Sequence, residues 1–126
     1  MRQKNERGAM AVEFALVAPI LLVLVGGILE FGILLFHQAV ITNASREAAR
    51  AGIVASSPKP TVANIQSVAS NYLARAGLNA ARATINVTGA GLAFGNNLTV
   101  SVIYPYTLAF VVNIPNLGAA TTMKHE

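Results

Sequence analysis

The chain has 126 residues, a length that suits one domain, and hydrophobic residues make up 54% of it, above the usual globular share of roughly 45–50%. Its formal net charge is +4 and it has no cysteine, which excludes disulfides and thiolate metal sites. The basic residues are scattered and are not interleaved with aromatic residues, so nucleic-acid binding is not expected.

One apolar segment near the N-terminus is long enough to cross a bilayer. Between residues 14 and 36 the only charged residue is Glu30. A helix of that length spans about 34 Å at 1.5 Å per residue, against a hydrocarbon core of ~30 Å. A cleaved secretory signal is the alternative, but its apolar region covers only about 7–15 residues. We therefore predict a transmembrane helix over residues 9–36, embedded in a lipid bilayer.

The charges that flank this segment predict its direction. Arg2, Lys4 and Arg7 precede it, while Arg46 and Arg50 follow it at a greater distance. By the positive-inside rule, the N-terminus should stay in the cytoplasm. Residues 37–126 are then expected to form the extracytoplasmic domain of a single-pass protein.

Two carboxylates interrupt the apolar helix. An ionisable group at membrane depth costs ~2.5–3.5 kcal/mol on insertion scales, which makes it a functional candidate. Glu13 lies about one turn inside the cytoplasmic boundary, and Glu30 lies closer to the outer face. Either could be an interfacial residue that reaches water. For Glu30 we weigh that interpretation equally with a polar contact inside the membrane.

The helix is predicted to continue beyond the membrane segment, because a stripe of small and apolar residues recurs at helical spacing. Such a stripe permits close approach of two backbones. It should pack on a second element of this chain or, alternatively, on another subunit. Its members are Val40, Ala44, Ala48, Ala51 and Ala55.

A second helix is predicted after residues 56–60, a Ser/Pro cluster that breaks the first one. Thr61 can cap its N-terminus and Gly77 can end it. One face is apolar, so this helix most simply covers a sheet. The apolar positions are Val62, Ile65, Val68, Ala69, Tyr72, Leu73 and Ala76.

The period then changes to two, which predicts strands at residues 83–88 and 98–104 that form a hairpin around a Gly/Asn-rich loop. Residues 119–124 would form a short last strand. The apolar run at residues 108–112 could be an edge strand or a patch that meets a partner or lipid. The predicted class is therefore α+β: a long N-terminal transmembrane helix continuing into a small domain with one further helix on a short antiparallel sheet.

The chain shows no catalytic constellation. His37 and His125 are far apart, and neither has a carboxylate and a nucleophile at motif spacing. We expect His37 to be interfacial and His125 to lie in a fraying tail. No cofactor or metal motif is present, so the sequence predicts a non-enzymatic protein.

Residues 7–14 read RGAMAVEF: a basic leader ends in Gly8, an apolar helix begins at Ala9, and Glu13 lies five residues after the glycine. This resembles the cleavage site of type IV prepilins. The resemblance implies that a prepilin peptidase cuts between Gly8 and Ala9 and removes residues 1–8. A new ammonium on Ala9 would need a partner in an apolar bundle. Glu13 of a neighbouring subunit could supply it, and the pair would fix subunit register.

Three segments extend this likeness, at residues 7–19, 27–32 and 43–52. In order, they resemble the TadE-like family, pilin-like proteins encoded with the tight-adherence (Flp pilus) machinery of bacteria and archaea. Residues 120–124 also suit the way such chains end. The resemblance implies a structural component in the inner membrane. Its implied partners are a prepilin peptidase, other pilin-like subunits and pilus assembly proteins.

Three interpretations of function follow. The chain could be a minor pseudopilin that loses its leader and joins a pilus. It could instead remain an uncleaved anchor whose outer domain scaffolds other pilus components. A different class is a single-pass protein whose outer domain binds a ligand or serves a membrane enzyme as accessory subunit. A hydrophobic cavity lined by the second helix and the hairpin would favour this last interpretation.

Overall fold

A computed structural model describes residues 2–107 and 116–125, with side chains described from residue 6. It confirms the α+β class: one very long helix, a second helix and a three-stranded antiparallel sheet. The apolar run at residues 108–112 lies outside the described residues. In chain order the elements are α1 (Arg2–Ile53), α2 (Val62–Arg75), a 3-10 turn (Ala80–Arg82), β1 (Thr84–Thr88), β2 (Asn97–Tyr104) and β3 (Leu117–Lys124).

Helix α1 is continuous over 52 residues and passes through Pro19. At 1.5 Å per residue it is about 78 Å long. The prediction that the helix continues past the apolar segment is therefore confirmed. Its end differs from the prediction, because α1 stops at Ile53 and Ala55 is exposed beyond it.

The small-residue stripe on α1 packs within this chain. Val40, Ala44 and Ala48 are buried, while Ala51 is half-buried. Short side chains let the helix lie close to α2 and to the sheet. A Cβ added to Gly52 would lie 2.7 Å from Ile65 Cδ1, closer than real side chains approach. The buried face is completed by Ile41, Ser45, Ala49 and Gly52.

Helix α2 begins and ends as its sequence predicts. The Thr61 side chain accepts a hydrogen bond from the Asn64 backbone N–H at 3.3 Å. At the other end Gly77 adopts a φ of 84°, and the Leu78 N–H donates to the Leu73 carbonyl at 3.0 Å, as in a Schellman cap. The buried face of α2 consists of Ile65, Ala69 and Leu73.

The strands pair in the order β1–β2–β3, so β2 is central. The predicted hairpin is confirmed, and β3 begins at Leu117, two residues earlier than expected. Alternate residues of β2 face the two helices, which is the pattern of a sheet covered on one side. Those buried residues are Leu98, Val100, Val102 and Tyr104.

Polar contacts fix α1 across the sheet. The Ser45 hydroxyl, fully buried, lies 2.7 Å from the Thr121 hydroxyl of β3. Lower on the helix, Gln38 Nε2 donates to the Gly118 carbonyl at 3.0 Å. The domain therefore has a proximal end, level with residues 36–43 of α1, and a distal end, level with residues 52–60. The apolar segment leaves the domain at the proximal end.

Candidate functional site

The largest candidate surface is the apolar segment of α1. The helix is long and apolar enough to cross a membrane, and within the part of the chain that the structure describes none of its most apolar stretch is buried. An apolar surface this continuous exceeds what soluble monomers expose and marks contact with lipid or with other proteins. The exposed residues are Met10, Val12, Phe14, Leu16, Val17, Ile20, Leu21, Leu22, Val23, Leu24, Val25, Ile28, Leu29, Phe31, Ile33, Leu35 and Phe36.

The predicted cleavage site lies on the exposed first turns of α1. Gly8 and Ala9 are both exposed, and a Cβ added to Gly8 would meet nothing within 4 Å. Glu13 is also exposed and lies one turn beyond Ala9 on the same helix. A neighbouring molecule could therefore reach all three residues. Their roles in cleavage and in subunit register stay predictions.

Glu30 differs from its helical neighbours. It is only 9% exposed, whereas Leu29 is 63% and Phe31 is 61% exposed. Glu30 is therefore covered by other parts of the protein, and its polar contact inside the membrane stays a prediction beside the interfacial interpretation.

His37 follows the apolar segment and enters an aromatic cluster. Its ring centroid lies 5.9 Å from that of Phe36, 6.2 Å from Tyr104 and 5.1 Å from Tyr106. Nδ1 is buried without a hydrogen-bond partner among the described residues. Desolvation in this cluster lowers the pKa of His37, because burial disfavours the charged imidazolium. The ring is therefore mostly neutral near neutral pH.

A cation lies beside the same cluster. The guanidinium carbon of Arg82 lies 5.7 Å from the centroid of the Tyr104 ring, within the range of a cation–π contact. Arg82 comes from the 3-10 turn before β1 and Tyr104 from the end of β2. Sequence reasoning missed this contact because no motif joins two residues from such distant elements.

A groove opens between α1 and α2 at the proximal end, with a volume of ≈ 530 Å³. One wall is formed by α1, directly beyond the end of the apolar segment. The other wall is formed by the last turn of α2. The groove combines apolar side chains with one cation, Arg75. Its lining is Phe36, Ala39, Val40, Asn43, Tyr72, Arg75 and Ala76.

At the distal end the structure corrects the expectation for His125. Its side chain is 6% exposed, and Nε2 donates to the Gly89 carbonyl at 2.8 Å. Its backbone N–H also donates to the Asn96 carbonyl at 2.9 Å. The prediction of a fraying tail was wrong because β3 carries the chain back beside the loop between β1 and β2. These two hydrogen bonds therefore hold that loop beside the end of β3.

The described side chains do not assemble a metal site: among them, no group of three or more His or Glu residues could hold an ion. The groove between α2 and β1 has a volume of ≈ 350 Å³ and is lined by Gln66, Ser67, Ser70, Ala83 and Ile85. It is shallow, and its lining is about equally polar and apolar.

The comparison with protein families confirms the resemblance seen in the sequence. The model of the family described as TadE-like protein matches residues 8–50. The match begins at the glycine of the predicted cleavage site and ends at Arg50, in the part of α1 that is built into the domain. No curated protein and no solved structure matches the chain. The matched residues make up about a third of the chain and include nearly all of the three segments that carry the resemblance.

Proposed function

We propose that this chain, whose residues 8–50 match the TadE-like family, is a minor pseudopilin of a tight-adherence pilus system. In this role it is structural and not catalytic. Residues 9–36 anchor it in the cytoplasmic membrane with the N-terminus inside, and the small α+β domain lies on the other side. Prepilin peptidase, other pilin-like subunits and pilus assembly proteins are its partners.

The observation that carries this proposal is the contrast along α1. Its first part exposes large apolar side chains, and its last part is built into a folded domain. A lipid bilayer accommodates the first part before assembly. Similar helices of neighbouring subunits can replace the lipid afterwards, because apolar helix surfaces pack equally well on each other.

Processing at Gly8 would create the group that Glu13 is placed to meet. Hydrolysis of the bond between Gly8 and Ala9 leaves an ammonium on Ala9 within the apolar segment. A lone charge there is costly, and so is the Glu13 carboxylate. An ammonium of one subunit and a carboxylate of the next offset each other, so the pair favours one axial register between subunits.

The intact mass of the protein, purified from membranes, tests the processing step. In cells that contain the prepilin peptidase we expect a chain that begins at Ala9, and in cells that lack it a chain that begins at Met1. An intact leader in both strains contradicts the pseudopilin proposal and favours an uncleaved anchor.

Glu13→Gln tests the assembly step, and Glu6→Gln is its matched control. Both replace a carboxylate by an amide on the exposed start of α1, but residue 6 is removed with the leader. We expect pilus assembly to fail with Glu13→Gln and to proceed with Glu6→Gln. Equal assembly by both variants would contradict the proposed role of Glu13 in subunit register.

A further inference from the structure

The proximal end of the domain carries an unusual concentration of aromatic and basic groups. All three tyrosines of the chain lie there: Tyr72 lines the groove beside α1, and Tyr104 and Tyr106 contact His37. Two exposed arginines, Arg75 and Arg82, lie among them. We call these five residues the proximal rim.

The rim lies at the depth of the lipid headgroups if residues 9–36 cross the bilayer as proposed above. The groove that holds Arg75 spans the level from Phe36 to Asn43. Phe36 ends the apolar segment, and Val40 lies about 6 Å further along the helix axis. The polar region of a bilayer adds roughly 5–8 Å to each side of the hydrocarbon core.

Acidic side chains are scarce in the part of the sequence that follows Glu30. Between residues 31 and 125 the sequence contains a single carboxylate side chain, Glu47. That residue is exposed on α1, 11 residues beyond Phe36 and thus roughly 16 Å further along the axis. Exposed guanidinium groups bind phosphate through paired hydrogen bonds, and tyrosines concentrate at membrane interfaces.

From this geometry we infer that the proximal rim binds headgroups of anionic phospholipids in the leaflet that the domain faces. Arg75 binds a headgroup phosphate at the mouth of the groove, and the acyl chain of that lipid lies along Phe36 on the apolar segment. Arg82, held over the Tyr104 ring, binds a second headgroup. The lipid contacts fix the height of the domain above the membrane.

The test uses the full chain in nanodiscs made of equimolar phosphatidylglycerol and phosphatidylcholine. Native mass spectrometry of the released protein then counts the lipids of each class that stay bound. We expect the wild type to retain phosphatidylglycerol preferentially. Arg75→Gln with Arg82→Gln should reduce this preference roughly 25-fold, because each of the two arginines near an anionic surface contributes roughly a fivefold preference.

Two variants control for charge and for structure. Arg46→Gln with Arg50→Gln removes the same charge from exposed positions of α1, about 15 and 21 Å beyond Phe36, and should keep the wild-type preference. Arg75→Lys with Arg82→Lys keeps the charge and should retain most of it. The near-ultraviolet circular dichroism of the tyrosines reports whether each variant is folded.

Three results would overturn the inference: no preference in the wild type, equal losses in the two glutamine pairs, or displacement of phosphatidylglycerol by inorganic phosphate but not by sulfate. The last would identify a site for soluble phosphate. A wild-type chain that fails to enter nanodiscs would contradict the transmembrane proposal itself. A chain that enters nanodiscs but shows no lipid preference would contradict only the proposal that the proximal rim binds anionic headgroups.

Discussion

The two parts of α1 have the same backbone conformation and opposite surfaces. Along residues 9–36 the exposed side chains are mostly large, such as Leu22, which is 72% exposed. Along residues 37–53 the buried face is mostly small, and Ala44 and Ala48 are 0% exposed. Large side chains suit a fluid solvent or a partner that adapts to them. Small side chains suit a fixed surface that the helix must approach closely.

This difference explains how one helix serves two environments. The domain holds the upper part through tight packing and through two hydrogen bonds that join Ser45 and Gln38 to β3. The lower part has no comparable packing among the described residues. The substitutions below compare equivalent changes in the two parts.

A charge introduced into the apolar segment should have the largest effect of these substitutions, and its effect is on membrane insertion. Val23 is 67% exposed in the middle of the apolar segment, and Val54 is 53% exposed just after α1. Val23→Lys should oppose membrane insertion by about 3 kcal/mol, because the ammonium would lie in hydrocarbon. Val54→Lys should have no effect on insertion. Extraction of membranes with alkaline carbonate measures both, and equal retention of the two variants would contradict a lipid environment around Val23.

An increase in side-chain volume should have the opposite pattern: a large effect in the domain part of α1 and none in the apolar segment. Ala48 is buried against the domain and Ala15 is exposed in the apolar segment. Ala48→Leu should destabilise the domain by about 1–3 kcal/mol through overpacking, and Ala15→Leu should leave it unchanged. Denaturant unfolding of the full chain in micelles, followed by tyrosine circular dichroism, measures this. Unchanged stability with Ala48→Leu would show that the interface of α1 is loosely packed.

Glycine replacements sharpen the same contrast. A Cβ at Gly52 would contact the side chains of Leu98 and Ile65, whereas one at Gly32 would meet nothing within 4 Å. Gly52→Ala should cost about 1 kcal/mol even though alanine favours the helix, since both neighbours must shift. Gly32→Ala should cause no loss. The same unfolding measurement applies, and a stabilised Gly52→Ala variant would contradict the close approach.

The smallest expected effect is a pH dependence at the boundary between the two parts. Burial lowers the pKa of His37 below its ordinary value of 6.5. The unfolded chain then binds a proton more readily than the folded one, so stability is complete above the ordinary pKa and falls as the pH drops below it. His37→Phe removes this titration and should reduce the pH slope of the melting temperature. An unchanged slope would contradict the buried position of the imidazole.

Much of the fold could be predicted because its signals are local. The caps at Thr61 and Gly77 and the alternation along β2 specify their elements from neighbouring residues. The stripe predicted on α1 wrongly included Ala55. The helix ends before that residue, because the Ser/Pro cluster that follows breaks it. The position of His125 depends on how β3 returns beside the loop after β1, and no local pattern contains that information.

The candidate site likewise has a part that the sequence predicts and a part that only the folded structure brings together. The apolar segment and the motif at Gly8, Ala9 and Glu13 are continuous in sequence, so they could be found without a structure. The proximal rim could not, because it joins the end of α2, the 3-10 turn and the end of β2. Only the packing of these elements brings Arg75 and Arg82 to the same end of the domain as the tyrosines.

The most direct test of the membrane topology uses the absence of cysteine from the chain. Single cysteines replace Ser57, exposed at the distal end, and Val23, exposed in the apolar segment. Intact spheroplasts are then treated with a maleimide that does not cross membranes. We predict that Ser57→Cys is labelled in intact spheroplasts and that Val23→Cys is unlabelled even after the membrane is opened osmotically. Labelling of Val23→Cys in both conditions, or of Ser57→Cys only after opening, would contradict the proposed topology.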